Sequence, residues 1–223
     1  MTTFEKQYEH CIEIEKKHGR TSLGLMTNQV WYDDPKRLLF VLSRYKFVAK
    51  MLAGKKSVFE IGCADAFGTK IVRQEIPNVL ATDVDPVFIE DCEKRSESGR
   101  WDVTYRVHDI LGGRIEGSFE AGYALDVFEH IAPERESEFL RNVCESLPSN
   151  GVFLIGTPSL ESQVYASPGS IEGHVNCKTS DSLRLLCREY FENVFMFSMN
   201  DEVVHTGFPC MAHYLFALCV GRK

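Results

Sequence analysis

Glu60 and the five residues at positions 62–66, Gly-Cys-Ala-Asp-Ala, form the strongest chemical signal in the chain. The loop follows a β-branched segment and precedes a helical one, a context in which small residues let a nucleotide-like ligand approach the backbone. Alanines at 64 and 66 make a dinucleotide fingerprint, with its glycines against the pyrophosphate, a poor match. The Glu60 carboxylate would repel a pyrophosphate and attract a cation. The loop therefore suits a ligand with an ammonium or sulfonium group, although a plain strand–helix turn would also use small residues.

Two further acids close the next two predicted strands. Asp83 follows Gly62 by about 20 residues, the spacing at which an acidic side chain reaches ribose hydroxyls. Asp109 can accept a hydrogen bond from an adenine amino group, and Ile110 can pack on the ring. Because parallel strands end at one edge of a sheet, these residues are expected to face one crevice. The sequence predicts a nucleoside site there, although each acid taken alone is more often a cap or loop residue.

Three histidines are candidates for work on a second substrate. His174 lies in the long segment 157–178, and loops of that length are usually functional. His130 follows the fourth predicted strand, and His205 lies between the last two strands. Each could act as a base toward a hydroxyl group or bind the substrate. The alternative for His174 is a hydrogen bond to loop backbone.

Short β-branched segments alternate with helical ones from residue 57 onward, which predicts βαβ units and a mostly parallel sheet. The last two strands have no helix between them, so an antiparallel hairpin is expected. The fold class is therefore α/β, a Rossmann-like doubly wound seven-stranded sheet with an antiparallel last strand. The seven strands are predicted at residues 57–61, 79–82, 103–107, 122–125, 152–156, 194–199 and 214–220.

The first 56 residues precede this pattern and are predicted to form an N-terminal helical lid over the sheet domain of residues 57–223, in one structural unit. A helix is expected over residues 4–18, an irregular crossing over residues 24–31, and a second helix from Asp34-Pro35 to Gly54. Arg37 and Arg44 are seven residues apart and should share the face opposite the buried stripe. Two arginines there would suit an anionic substrate. Packing into the core and a subunit interface, hence a homodimer, is the alternative use of these helices.

Composition excludes several classes of protein. The chain has 223 residues, of which 44% are hydrophobic and 26% charged, with a net charge of −7. Such an acidic balance argues against nucleic-acid binding, and no apolar segment is long enough for a membrane span or a secretory leader. The eight cysteines are scattered with no CxxC pair, which indicates reduced thiols and a cytoplasmic protein.

With these motifs in place, the chain over about residues 57–220 resembles the class I S-adenosylmethionine-dependent methyltransferases. The resemblance implies S-adenosylmethionine as cofactor and the seven-stranded fold, and Leu125 opens a fourth-strand motif whose backbone faces the methionine moiety. Ala64 and Ala66 depart from the family's glycines. The implied cofactor-binding residues are Glu60, Gly62, Cys63, Ala64, Asp83, Val84, Asp109, Ile110 and Leu125.

The spacing Asp126-x-x-Glu129-His130 is similar to that of ubiquinone-type O-methyltransferases, where such residues can hold a divalent cation. The resemblance thus adds Asp126, Glu129 and His130 as metal candidates, and a structural helix start is the alternative. The stretch from Gly173 to Phe191, with a His-x-x-x-x-Thr pattern leading into a helix, resembles bacterial O-methyltransferases and favours O-methylation of a small molecule such as a sugar or nucleotide-linked sugar. No Asn-Pro-Pro-Tyr or Asp-Pro-Pro-Tyr, typical of amino-nitrogen methylases, follows the fourth strand.

Other functions stay open at this point. The acceptor could instead be a phenol, a carboxylate or an amine. A different enzyme class, an NAD-dependent oxidoreductase, would use the same type of loop, and a non-catalytic cofactor-binding module would keep the pocket without turnover.

Overall fold

An eight-stranded sheet forms the centre of the computed structural model, which describes residues 3–96 and 102–223. The strand order is β3-β2-β1-β4-β5-β8-β6-β7. Strands β1 to β5 are parallel, so their carboxyl ends meet at one edge of the sheet. The strands are β1 (Ser57–Ile61), β2 (Asn78–Asp83), β3 (Thr104–Val107), β4 (Ala121–Leu125), β5 (Val152–Pro158), β6 (Phe191–Asn200), β7 (Val203–His205) and β8 (Tyr214–Arg222).

Helices cover both faces of this sheet, because the apolar side chains of each strand point alternately to one face and the other. In β1, Phe59 and Ile61 belong to one apolar cluster, and Val58 belongs to the other. Successive strand residues point to opposite faces, so a strand buried on both sides needs apolar residues at most positions. The helices are α1 (Glu9–His18), α2 (Leu25–Asp33), α3 (Arg37–Met51), α4 (Thr69–Glu75), α5 (Pro86–Ser96), α6 (Glu136–Glu145), α7 (Pro168–Gly173) and α8 (Ser180–Tyr190).

The antiparallel last strand is confirmed. β8 lies between β5 and β6 and runs antiparallel to both, with Tyr214 opposite Pro158 at the carboxyl edge of β5. The seven predicted strands are all present. The eighth, β7, was missed because three residues at a sheet edge carry almost no periodic signal.

The N-terminal helices differ in how they pack. Val48 and Ala49 of α3 share an apolar cluster with Val58 of β1, so α3 packs directly on the sheet domain. Helix α1 has no buried residue. The first two residues of the predicted 1–56 unit lie outside the described ranges.

The irregular crossing predicted for residues 24–31 is wrong, because helix α2 begins at Leu25. Its local sequence has no capping side chain, and Gly24 occupies the N-cap position. The cap comes from the sheet domain instead. Asp65 accepts hydrogen bonds from the Thr27 amide at 2.6 Å and the Thr27 hydroxyl at 3.0 Å. A long-range cap of this kind leaves no local sequence signal.

Two further expectations concern covalent and membrane features. All eight cysteines are free thiols, as predicted. Among residues 3–96 and 102–223, none of the helices combines the length and the apolar character that crossing a bilayer requires.

Candidate functional site

The loop between β1 and α4 has an unusual backbone. Gly62, Ala64 and Ala66 all have positive φ angles, of 70°, 45° and 50°. The two alanines therefore take the left-handed conformation that glycine favours, at a cost of about 1 kcal/mol each. A Cβ on Gly62 would lie 2.3 Å from Cγ2 of Val127, so that position is closed to any other residue. The loop keeps its small residues and their backbone conformation although two glycines are replaced.

Asp83 at the end of β2 holds this loop in place. Its Oδ2 accepts a hydrogen bond from the Ala64 amide at 2.8 Å, and its Oδ1 accepts one from the Asp85 amide at 2.9 Å. Each carboxylate oxygen has a second lone pair, so the side chain can still accept ribose hydroxyls. Sequence reasoning predicted only that second role. The loop anchoring depends on the close approach of β1 and β2.

The other predicted cofactor residues lie at or near the same edge. Asp109 is exposed and caps a short 3₁₀ turn by accepting from the Leu111 amide at 2.8 Å, while Ile110 is buried. Val84 is 64% exposed beside Asp83. The adenine and ribose roles of these residues stay predictions.

Cys63, Leu125 and Glu60 lie deeper than the predicted contacts imply, and all three are buried. A hydrogen bond with Cys92, and then burial, raises the pKa of the Cys63 thiol. Glu60 Oε2 accepts hydrogen bonds from Thr69 at 2.6 Å and Tyr123 at 2.9 Å. Burial raises the pKa of Glu60 to about 7. In this arrangement the Glu60 carboxylate ties β1, β4 and α4 together, and its direct contact with the cofactor stays a prediction.

Arg44 is buried, which corrects the expectation that it shares an exposed face with Arg37. Its Nη1 lies 2.8 and 2.6 Å from the two carboxylate oxygens of Asp126, just after β4. Its guanidinium carbon is 3.7 Å from the ring centroid of Tyr214 on β8. Burial, the largest single influence, would lower the pKa of Arg44, but the charge of Asp126, its hydrogen bond and the other acidic groups nearby together raise the net pKa. Arg37 stays exposed, so the two arginines do not form a joint anion site.

Asp126 has a positive φ of 56°, which turns the chain sharply at the end of β4. Both of its oxygens contact Arg44, so the carboxylate is already neutralised by a cation. The predicted metal set of Asp126, Glu129 and His130 is therefore corrected. His174 takes the place of Asp126 in the cluster that the structure forms.

Glu129, His130 and His174 lie together at the carboxyl edge of β4 and β5. Each contributes one nitrogen or carboxylate oxygen to a group whose atoms are within 4.8 Å of one another. Glu129 is fully buried, and its Oε2 accepts a hydrogen bond from Thr157 at 3.1 Å. Burial, and then the charge of Asp126, raises the pKa of Glu129 to about 8. The long segment 157–178 thus places His174 next to Glu129 and His130, which follow β4.

The two imidazoles are oriented by carbonyl oxygens. His130 Nδ1 lies 2.8 Å from the Gly173 carbonyl oxygen, and His174 Nδ1 lies 2.9 Å from Gln163 Oε1. The ring centroids are 5.2 Å apart. Burial, and then the neighbouring His130, lowers the pKa of His174, so its ring is neutral near pH 7.

A surface cleft of about 280 Å³ opens beside His174. We call it the His174 cleft. Sequence reasoning missed most of its walls, because they come from α3, the 157–178 segment and the start of β8. His213, which directly precedes β8, is one of them. The lining residues are Phe40, Arg44, Pro158, Ser162, Gln163, Tyr165, Ala166, Ser170, His174, His213 and Tyr214.

His205 does not join this cluster, which corrects its assignment as a catalytic candidate. It lies on β7, and two strands, β8 and β6, separate it from β5. Its Nε2 lies 2.9 Å from Asn200 Oδ1, and its Nδ1 accepts from the Gly207 amide at 2.9 Å. The ring therefore stabilises the β6–β7 turn through Nε2 and the segment after β7 through Nδ1.

These residues fit a nucleoside-bearing sulfonium ligand. The loop at 62–66 offers a backbone with no side chain larger than a methyl group at three positions, and Asp83 keeps free lone pairs. A nucleotide pyrophosphate would lie near the buried carboxylates of Glu60 and Asp83, which are beside the loop and would repel it. The small-residue loop and the acids at successive strand ends agree with S-adenosylmethionine.

Comparisons with known proteins agree with this fit. A family profile described as a methyltransferase domain matches residues 58–151. The carboxy-S-adenosyl-L-methionine synthase of Campylobacter curvus (strain 525.92) is 22% identical over 135 residues, which are 60% of this chain and 57% of that protein. The match thus spans just over half of the relative's length.

Solved structures with the same fold are also methyltransferases by description. The N-methyltransferase NodS from Bradyrhizobium japonicum WM9, in complex with S-adenosyl-L-homocysteine, has a TM-score of 0.62 at 15% identity and covers 98% of this chain and 100% of its own. A TehB-like methyltransferase from Corynebacterium glutamicum ATCC 13032 has a TM-score of 0.59 at 17% identity, covering 85% and 96%. The chain therefore contains a methyltransferase domain at residues 58–151, and its sheet topology is the fold that these solved methyltransferases share.

Proposed function

We propose that this chain transfers a methyl group from S-adenosylmethionine to a hydroxyl oxygen of a small molecule such as a sugar or nucleotide-linked sugar. The observation that carries the proposal is the orientation of His130 and His174. Each ring bonds a carbonyl oxygen through Nδ1. Nε2 is then the basic nitrogen, and in His174 it belongs to a side chain that lines a cleft.

The cofactor supplies an electrophilic methyl group on its sulfonium when bound. On this chain, the backbone of the 62–66 loop would receive the amino-acid end, and Asp83 the ribose hydroxyls. Asp109 and Ile110 would hold the adenine ring. Leu125 begins the segment whose main chain would lie along the methionine moiety.

The walls of the His174 cleft suit a sugar. Two aromatic rings, those of Phe40 and Tyr165, can cover the apolar face of a pyranose ring, while Ser162 and Gln163 offer groups that bond hydroxyls. Arg44 in the same wall already contacts Asp126. This pattern of aromatic and uncharged polar groups supports a hydroxyl-rich acceptor over a carboxylate.

His174 would hold or take the hydroxyl proton of the acceptor, with His130 packed against its ring. A neutral imidazole is the correct state for that role, and the lowered pKa of His174 keeps it neutral. In-line displacement also needs the acceptor to be held close to the methyl group.

The N-terminal helices would cover the cofactor and exclude water. Helix α2 is fixed to the cofactor loop by the two hydrogen bonds from Thr27 to Asp65. Arg95 of α5 also donates to the carbonyl oxygen of Asp65 and to the carboxylate of Asp91. A lid anchored on the loop itself would couple its closure to cofactor binding. The homodimer prediction stays part of this proposal as the alternative use of α1.

The test is transfer of a radiolabelled methyl group from S-adenosylmethionine to a panel of acceptors. The panel holds free sugars, nucleotide-linked sugars, phenols, carboxylic acids and amines. We expect an alkali-stable methyl ether on a sugar hydroxyl. Label in amines or carboxylates alone would contradict the oxygen-acceptor proposal, and no transfer to any acceptor would favour the non-catalytic module.

His174→Ala should then lower turnover about 10²–10⁴-fold while affinity for S-adenosylhomocysteine stays the same. His205→Ala is the matched control, because that histidine lies at the same sheet edge but outside the cleft. Equal losses in both variants would show that a general disturbance of this edge, rather than the imidazole of His174, explains the effect.

A further inference from the structure

We propose that Glu129, His130 and His174 bind one divalent transition-metal cation beside the His174 cleft. This ligand set differs from the Asp126-Glu129-His130 set expected from the chain order, because segment 157–178 brings in a histidine 44 residues beyond His130. The catalytic use of this metal rests on the proposed function. The test does not, because metal binding is measured without a methyl acceptor.

The spacing of the ligand atoms fits a single ion. One atom from each of the three side chains lies within 4.8 Å of the others. Nitrogen and oxygen ligands lie about 2.0–2.2 Å from Zn²⁺ and similar ions, so two ligands of one ion are at most about 4.4 Å apart. Small side-chain rotations are enough to bring the three atoms onto one cation.

The hydrogen bonds of the histidines select the ligating nitrogen. Carbonyl oxygens only accept, so the bonds to Gly173 O and Gln163 Oε1 place the protons of His130 and His174 on Nδ1. Both Nε2 atoms then have free lone pairs. Metal-binding histidines in proteins are commonly held in this way, by a carbonyl or carboxylate on the nitrogen opposite the metal.

Glu129 provides the third ligand and an independent reason for a cation. Its Oε1 is buried and has no hydrogen-bond partner, while Oε2 is engaged by Thr157. A buried carboxylate oxygen without a partner is costly, and a cation would compensate it. Arg44 does not fill this role, because its Nη1 contacts both oxygens of Asp126.

Two imidazoles and one carboxylate favour a transition metal over Mg²⁺ or Ca²⁺, which prefer oxygen ligands. Three protein ligands also leave coordination positions open. Because His174 lines the cleft, an acceptor hydroxyl could occupy one of them. Coordination would lower the pKa of a bound hydroxyl, so its proton could pass to solvent water, and the imidazoles would assist as metal ligands instead of as free bases.

The test is Co²⁺ binding to the full chain after removal of metals with a chelator. Isothermal titration and visible absorption are measured together, because Co²⁺ spectra distinguish nitrogen and oxygen ligands from thiolates. We expect one equivalent bound, with no thiolate charge-transfer band. Cys177→Ser should leave binding unchanged. This cysteine is the control because burial, and then the charge of Glu129, raises the pKa of its thiol.

His130→Ala and His174→Ala should each weaken Co²⁺ binding by more than tenfold, and His205→Ala should leave it unchanged. Gln163→Leu removes only the orienting carbonyl of His174 and should weaken binding about 10–100-fold. If a histidine variant fails to fold, Gln163→Leu still tests the site. Unchanged affinity for S-adenosylhomocysteine shows that a variant is folded.

Absence of stoichiometric binding, full binding in both histidine variants, or a thiolate spectrum would each overturn the metal site. If the protein binds no Co²⁺ and still transfers methyl groups after metal removal, the metal site is rejected. The proposed O-methyl transfer is then unaffected.

Discussion

Nη1 of Arg44 contacts both carboxylate oxygens of Asp126, at 2.8 and 2.6 Å, and so ties α3 to the turn that follows β4. The two side chains differ in exposure, at 10% for Arg44 and 39% for Asp126. Tyr214 closes the other side of the guanidinium, and its hydroxyl occupies the space that a Cβ on Gly156 would need. The pair therefore fixes the cofactor edge of β4, the start of β8 and one wall of the His174 cleft.

This exposure difference predicts an asymmetry between variants. In Arg44→Leu, the orphaned Asp126 carboxylate can still reach water. In Asp126→Asn, a buried guanidinium loses its counter-ion, although Asn suits the positive φ at that position. We expect Asp126→Asn to destabilise the protein by about 3–5 kcal/mol and Arg44→Leu by less, as measured by urea unfolding.

Arg37→Leu is the control for this prediction, because Arg37 lies on the same helix and is exposed. Its effect should stay within about 0.5 kcal/mol. If Arg44→Leu proves as harmless as Arg37→Leu, the pair does not contribute to folding in the way its geometry indicates.

Glu60 predicts a pH dependence of stability. Burial raises its pKa from an ordinary 4.5 to about 7. The folded state therefore holds the Glu60 proton more tightly than the unfolded state. The resulting contribution to the free energy of unfolding is complete below about pH 4.5 and is lost as the pH rises to about 7. The expected loss is about 3 kcal/mol.

Glu60→Gln has no such proton to lose. The difference in unfolding free energy between the wild-type protein and Glu60→Gln should therefore shift by about 3 kcal/mol in favour of the variant between about pH 4 and pH 8. Urea unfolding at both pH values gives this difference, in which the titration of other groups cancels. A difference that does not change with pH would place the Glu60 pKa near its ordinary value.

Asp83 predicts a loss of cofactor affinity. Asp83→Ala removes the ribose acceptor and the support of the Ala64 amide together, so affinity for S-adenosylhomocysteine should fall by about 1–3 kcal/mol in calorimetric titration. Asp85→Ala serves as the control. That side chain caps α5 through the Val87 amide at 2.9 Å, so its loss should cost about 1 kcal/mol of stability and no affinity. Equal affinity losses in the two variants would refute the ribose assignment.

The order of the elements and the position of the acids at their ends were predictable from local patterns in the chain. Alternating apolar residues in β1 and the helical periods between strands are local patterns, so the seven main strands could be read from them. Parallel topology then placed Glu60, Asp83 and Asp109 at one edge, because all parallel strands end on the same side.

The pairs of side chains that come into contact depend instead on long-range packing. Arg44 and Asp126 are 82 residues apart, and the partners His130 and Gly173 are 43 apart. Neither separation along the sequence corresponds to a helical or strand period, so neither contact could be predicted from a local pattern. Helix α2 was missed for the same reason, since its cap comes from Asp65. A helical wheel placed Arg44 on the solvent side, but the deep turn at Asp126 offers a counter-ion and Tyr214 a ring, which makes burial of the guanidinium favourable. His174 joined Glu129 and His130 because the 157–178 segment folds back over the strand ends, a path that depends on packing against β8 and the turn after β4.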